Sequence, residues 1–179
     1  MFVCKEVEQM KFNELDLLMM MNADDINYSN LSEDMLRNLA LGDELYIANY
    51  ALAELSRRES QEASAVAWQI LSKSLGDCYL QAASLKILFY INREQALDYI
   101  GKQAQHCNPY TLNSIMELMI ENESEFQSGH ALSVVPIVSE RLQKLEDSAE
   151  FPDLEVRNSF LKLYGYGQNT QRLNAITPG

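Results

Sequence analysis

The chain has 179 residues, enough for one domain that buries a core without disulfide or metal staples. It is 47% hydrophobic with only 7 Gly and 4 Pro, which excludes a disordered chain, a collagen-like one and a turn-rich sandwich. With 26 Asp and Glu against 14 Lys and Arg, the formal net charge of -12 disfavours nucleic acid and anionic membranes as partners and favours a basic protein.

Nearly every segment shows the helical period and almost none alternates, so the predicted fold class is all-α. In chain order the predicted helices cover about 5–21, 32–41, 43–57, 60–74, 77–91, 93–105, 109–122, 131–145 and 153–164, about nine helices in all. The start, MFVCKEVEQMK, does not fit a signal peptide, and the longest apolar run, Leu17 to Met21, is far too short to span a membrane. A cytoplasmic protein with no membrane partner is expected. Residues 22–31, NADDINYSNL, read as a polar loop. Asp25, Asn27 and Ser29 begin it like a calcium loop, but Asn30 and Leu36 stand where such a loop needs Gly and Glu.

The next helix opens a duplication. LGDELYIANYALAEL, Leu41 to Leu55, recurs 34 residues later as LGDCYLQAASLKILF, Leu75 to Phe89. On this alignment Asp43 and Asp77 both cap helices, and Ala48 and Ala82 are both small residues buried where helices approach. Between the copies, Ser60 caps a helix whose Ala63, Val66, Ala67, Ile70 and Leu71 form one apolar stripe. Trp68 lies off that stripe, facing a neighbouring repeat or forming an exposed hot spot for a partner. Asn92 with Gln95 resembles a capping box, and Asn108-Pro109 supplies a cap followed by proline at the first helical position. Short connections between helices, repeated every 32 to 34 residues, predict stacked antiparallel helical hairpins, each covering the apolar face its neighbour leaves open. The predicted domain is 1–165, followed by a polar tail at 166–179.

The stretch Val134 to Gly165, with Pro136, an acidic loop, and Asp153, Val156 and Arg157 spaced as Asp-x-x-Val-Arg, resembles the HEAT repeat family. The resemblance implies an α-solenoid in which Asp153 caps a helix and Arg157 ties neighbouring repeats. The copies beginning at Asp43, Asp77 and Asn108 lack the Val-Arg pair.

Candidates for catalysis are sparse. His106 and Cys107 are adjacent on the chain and point in different directions, and Cys107 with His106 and His130 lacks zinc-ligand spacing. No glycine-rich phosphate loop follows a strand. No catalytic residues, metal or cofactor are assigned, and the three cysteines read as free thiols in a reducing compartment.

Acidic loops remain. From Gln103 to Glu140 there is no Lys or Arg, while Glu117, Glu121, Glu123 and Glu125 fall in that window beside Phe126. A second acidic loop carries Glu146, Asp147 and Glu150. Together with Trp68 these are the predicted partner-binding residues. Small acidic stacked-helix proteins of this kind resemble bacterial toxin-immunity proteins, which implies a cognate partner with a basic nuclease domain. The alternative is a non-catalytic adaptor or assembly factor that uses the same surface.

Overall fold

The computed structural model describes residues 14–146 and 152–165, with only the backbone described at Glu146. The regular structure of the described residues is entirely helical, with no strand. Nine α-helices follow one another: α1 Glu14–Met19, α2 Glu33–Ala40, α3 Leu45–Arg57, α4 Gln61–Lys73, α5 Cys78–Ile91, α6 Arg93–Gln103, α7 Pro109–Glu121, α8 Gly129–Glu146 and α9 Leu154–Tyr164. The first part of the predicted helix 5–21 and the tail 166–179 lie outside the described residues.

Side-chain caps set most of the helix starts. Ser32 accepts from the Met35 amide, Ser60 from Glu62, Asn92 from Gln95, Asn108 from Thr111, and Asp153 from Glu155 and Val156. Each such cap satisfies an otherwise orphaned backbone donor and is worth about 1 kcal/mol. Three 3-10 turns were not predicted. Ala23–Asp25 and Tyr28–Asn30 fold the expected polar loop, and Glu123–Gln127 follows α7.

Packing skips along the chain. α3 lies against α5, α5 against α7 and α7 against α9, while α2 meets α4 and α6 meets α8. Consecutive helices also pack, α2 on α3, α4 on α5, α5 on α6 and α7 on α8. The core contains Leu36, Leu52, Leu55, Ile70, Leu85, Leu88, Phe89 and Phe160. Phe126 is also fully buried, its ring stacked on Phe89 at 5.8 Å between centroids. That corrects its assignment to a partner-binding loop. The 3-10 turn Glu123–Gln127 turns this aromatic inward and leaves its glutamates outside.

The duplication is also corrected. Asp77 caps α5 by accepting from the Tyr79 and Leu80 amides, but the residue before α3 is Glu44, which makes no side-chain cap, so Asp43 does not share the role. The helices therefore align one residue out of step with the Leu-Gly-Asp motif. Gly76 needs its left-handed φ of 67°, and a Cβ there would lie 2.5 Å from Leu80 Cδ2, a constraint that does not recur at Gly42. In the true register Ala48 is fully buried, whereas Ala82 is only half-buried and the buried small residue of α5 is Ser84.

Two arginines fasten distant segments. Arg58 donates to the carbonyls of Tyr28, Ser29 and Leu31, and its Nε donates to Glu54, which also receives both Arg57 donors at 2.7 Å. Glu54 is only 9% exposed, and these guanidinium hydrogen bonds hold its carboxyl down at about 2. Arg141 of α8 donates twice to the carbonyl of Cys107, at 3.0 and 2.7 Å, tying α8 to the connection between α6 and α7.

Ala48→Leu should lower stability by about 1 to 3 kcal/mol through overpacking, whereas Ala82→Leu should cost less than about 1 kcal/mol because its side chain is half open. Urea unfolding of both variants checks the corrected register, and equal costs would contradict it.

Because the folded pKa of Glu54 is depressed, the unfolded chain binds the extra proton. The stability Glu54 contributes is therefore complete above the ordinary glutamate value of about 4.5 and is lost as pH falls from there toward about 2. Glu54→Gln should remove that part of the acid dependence in urea melts taken at successive pH values. An unchanged pH profile would mean the latch does not operate.

Candidate functional site

The outward face of α7 organises the site. Asn108 and Pro109 fix where the helix begins, and Tyr110, Asn113, Glu117 and Glu121 then follow at helical spacing along one side. α5 presents a matching row that meets it pair by pair. Tyr79 and Tyr110 bring their rings to 5.4 Å between centroids, Lys86 forms an ion pair with Glu117, and the Tyr90 hydroxyl donates to Glu121 at 3.2 Å. The last two pairs are both 31 residues apart in sequence, so they report one register between neighbouring helices.

On the far side of α7 stands the start of α9. Between them runs an open groove in two adjoining stretches that share Glu117 and Asp153. One stretch, about 270 Å³, is lined by Tyr79, Ala82, Tyr110 and Asn113 as well as the shared pair. The other, about 210 Å³, adds Ile120, Glu121, Glu155 and Ser159. Four carboxylates, Glu117, Glu121, Asp153 and Glu155, thus face one groove, and no Lys or Arg is among the described residues that line it. Of the first predicted acidic segment, Glu117 and Glu121 meet Asp153 and Glu155 here through α7 and α9.

Asn113 is only 7% exposed, and its Nδ2 donates to Glu117 Oε1 at 2.9 Å. That bond fixes the amide orientation, since a carboxylate accepts, and leaves Oδ1 buried without a partner. The Tyr79 hydroxyl is pushed up, chiefly by the charge of the neighbouring Tyr110.

Other predicted residues are engaged elsewhere. Glu125 pairs with Arg93 at 2.7 Å, and that guanidinium also lies over the Phe89 ring. Glu123 accepts from Gln127 and stands near Tyr164, whose hydroxyl donates to the Met119 carbonyl. Burial, followed by the charge of Glu123, pushes the Tyr164 hydroxyl up to about 12. Trp68 is half-buried on α4, its ring edge-on to Tyr99 of α6 at 6.5 Å, and it does not line the groove. Asp147, Glu150 and the Glu146 side chain lie outside the described residues.

From sequence, Tyr46, Tyr79 and Tyr90 read, like Trp68, as facing a neighbour or solvent, whereas Tyr110, Lys86 and the alignment of the tyrosines into a row go unseen. Tyr46, Tyr79 and Tyr110 each occupy the second position of their helices, α3, α5 and α7, and all three are exposed. Aligning the repeats on helix starts, rather than on Leu-Gly-Asp, exposes the pattern.

The residues weighed for catalysis do not converge. The Cys107 thiol donates to the Ala104 carbonyl at 3.1 Å, and burial pushes it up to about 11, so at neutral pH it is a thiol rather than a nucleophilic thiolate. His106 is exposed beside it, and His130 lies 3.7 Å from Asp98. Among the described residues no group of three His, Cys, Asp or Glu is placed to hold a metal ion, and no helix is long and apolar enough to cross a membrane. In comparisons with known protein families, curated proteins and solved structures, nothing matches the chain.

Proposed function

We propose that the chain is a small non-catalytic α-solenoid of HEAT-like hairpins that binds a basic protein through the acidic groove between α7 and α9. The observation that carries this reading is the convergence of Glu117, Glu121, Asp153 and Glu155 on one groove in which, among the described residues, the one cation met is Lys86, paired with Glu117 at the rim. Carboxylates gathered this way raise the local negative potential and steer a cationic surface toward the groove. The α3, α5, α7, α9 packing supports the solenoid, since such a row forms when hairpins stack side by side. The specific role we assign is that of an immunity protein acting in the cytoplasm, whose acidic face occupies the basic site of a cognate toxin nuclease in place of nucleic acid. Its support is the net charge of -12 together with the groove.

Capture of the partner with the tagged chain, followed by stopped-flow association at several salt concentrations and an assay of nucleic acid cleavage, tests both levels. The expected partner is basic, its association rate falls steeply with salt, and its cleavage of nucleic acid is blocked on binding. Glu121→Lys with Glu155→Lys should slow association by about tenfold or more at low salt and flatten the salt dependence. Reversing Glu123, which is engaged by Gln127 outside the groove, should have a smaller effect. A salt-insensitive association, or a partner with an acidic surface, would contradict the binding mode. A basic partner without nuclease activity would replace immunity with an adaptor role.

A further inference from the structure

The end of the groove where α5 meets α7 differs from the rest. It combines two exposed aromatic rings with a half-buried carboxylate. We infer that the cleft between Tyr79, Ala82, Tyr110, Asn113 and Glu117 is a recognition site for an arginine side chain of a basic protein partner. This rests on the proposed binding of a basic protein and assigns the place where that partner inserts a specific residue.

Chemistry selects the occupant. The faces of Tyr79 and Tyr110 attract a cation through their quadrupoles, and Glu117 and Asp153 favour positive charge. A ligand must therefore be cationic and able to lie on an aromatic face. The planar guanidinium meets both conditions. A lysine ammonium is a compact point charge, and Lys86 already supplies one to the Glu117 carboxylate from the cleft's rim. The volume of about 270 Å³ has room for the guanidinium and part of its aliphatic stem, with half-buried Ala82 in the wall.

The test is an NMR titration of the full chain at low salt with the capped peptide acetyl-Gly-Arg-Gly-Arg-Gly-amide, beside its lysine and citrulline counterparts. The arginine peptide should shift the amides of Tyr79, Ala82 and Tyr110 and the side-chain amide of Asn113, binding about tenfold or more tightly than the uncharged citrulline peptide, which has nearly the same shape. Tyr110→Ser should weaken the arginine peptide by a similar factor. Ala82→Leu, which fills the cleft from the opposite wall at a position the fold tolerates, should do the same and serves if Tyr110→Ser unfolds. Equal binding of the lysine peptide, or arginine-peptide binding unchanged by either substitution, would overturn the cleft. Binding of both basic peptides only at the Glu121 and Glu155 end would remove the cleft and leave the basic-partner reading standing. A basic peptide that shifts no resonance anywhere would remove both.

Discussion

A helical hairpin with apolar residues on two sides can bury one of them in its own interface and must hand the other to a neighbour. That constraint is visible in α5, which packs on α4 and α6 along the chain and also on α3 and α7. Its Phe89 stacks on Phe126 from the turn after α7, and the Tyr164 hydroxyl of α9 reaches the Met119 carbonyl of α7. Once the apolar sides are matched, the outward sides are fixed relative to one another. The pairs Tyr79 with Tyr110, Lys86 with Glu117 and Tyr90 with Glu121 follow from core packing rather than from their own weak attractions. Exposed pairs of this kind contribute at most about 1 kcal/mol each, so they record the register more than they enforce it.

The scarce cations explain where negative charge is left over. Arg57 and Arg58 neutralise Glu54, Arg93 meets Glu125 and Lys86 meets Glu117, while Arg141 holds a backbone carbonyl. Glu54 shows why the arrangement matters. A carboxylate buried to this degree is tolerated only with partners, and its bidentate contact with Arg57 and its bond to Arg58 supply them. Through Arg58 that acid also anchors the 3-10 turn Tyr28–Asn30 to α3. These five cations are engaged away from Glu121 and Glu155, which remain exposed in the groove.

The helices were legible because period and caps act locally. Ser60, Asp77, Asn92, Asn108 and Asp153 are caps that their own neighbours in sequence reveal, and each acts as one. What failed was longer in range or finer in register. Leu-Gly-Asp is a strong textual repeat, but Gly76 sits in a left-handed turn that Gly42 does not share, so the motif and the helices drift apart by one residue. That slip sent Ala82 to the core and hid the alignment of Tyr46, Tyr79 and Tyr110. Phe126 misled for a different reason. Among glutamates in a short segment it has no periodic companions, and only the depth of the neighbouring core decides that it turns inward. Glu117 and Glu121 were found as acids in a cation-free window, yet their meeting with Asp153 and Glu155 depends on α7 packing against α9.

In the proposed function one groove, framed by α5, α7 and α9, meets a basic partner. Hydrogen exchange of the backbone amides, free and in the complex, tests it most directly. Added protection is expected over α7 near Tyr110 to Glu121 and at the starts of α5 and α9, with little change on α4 and α6. Protection concentrated around Trp68 and Tyr99, with the groove unchanged, would contradict it.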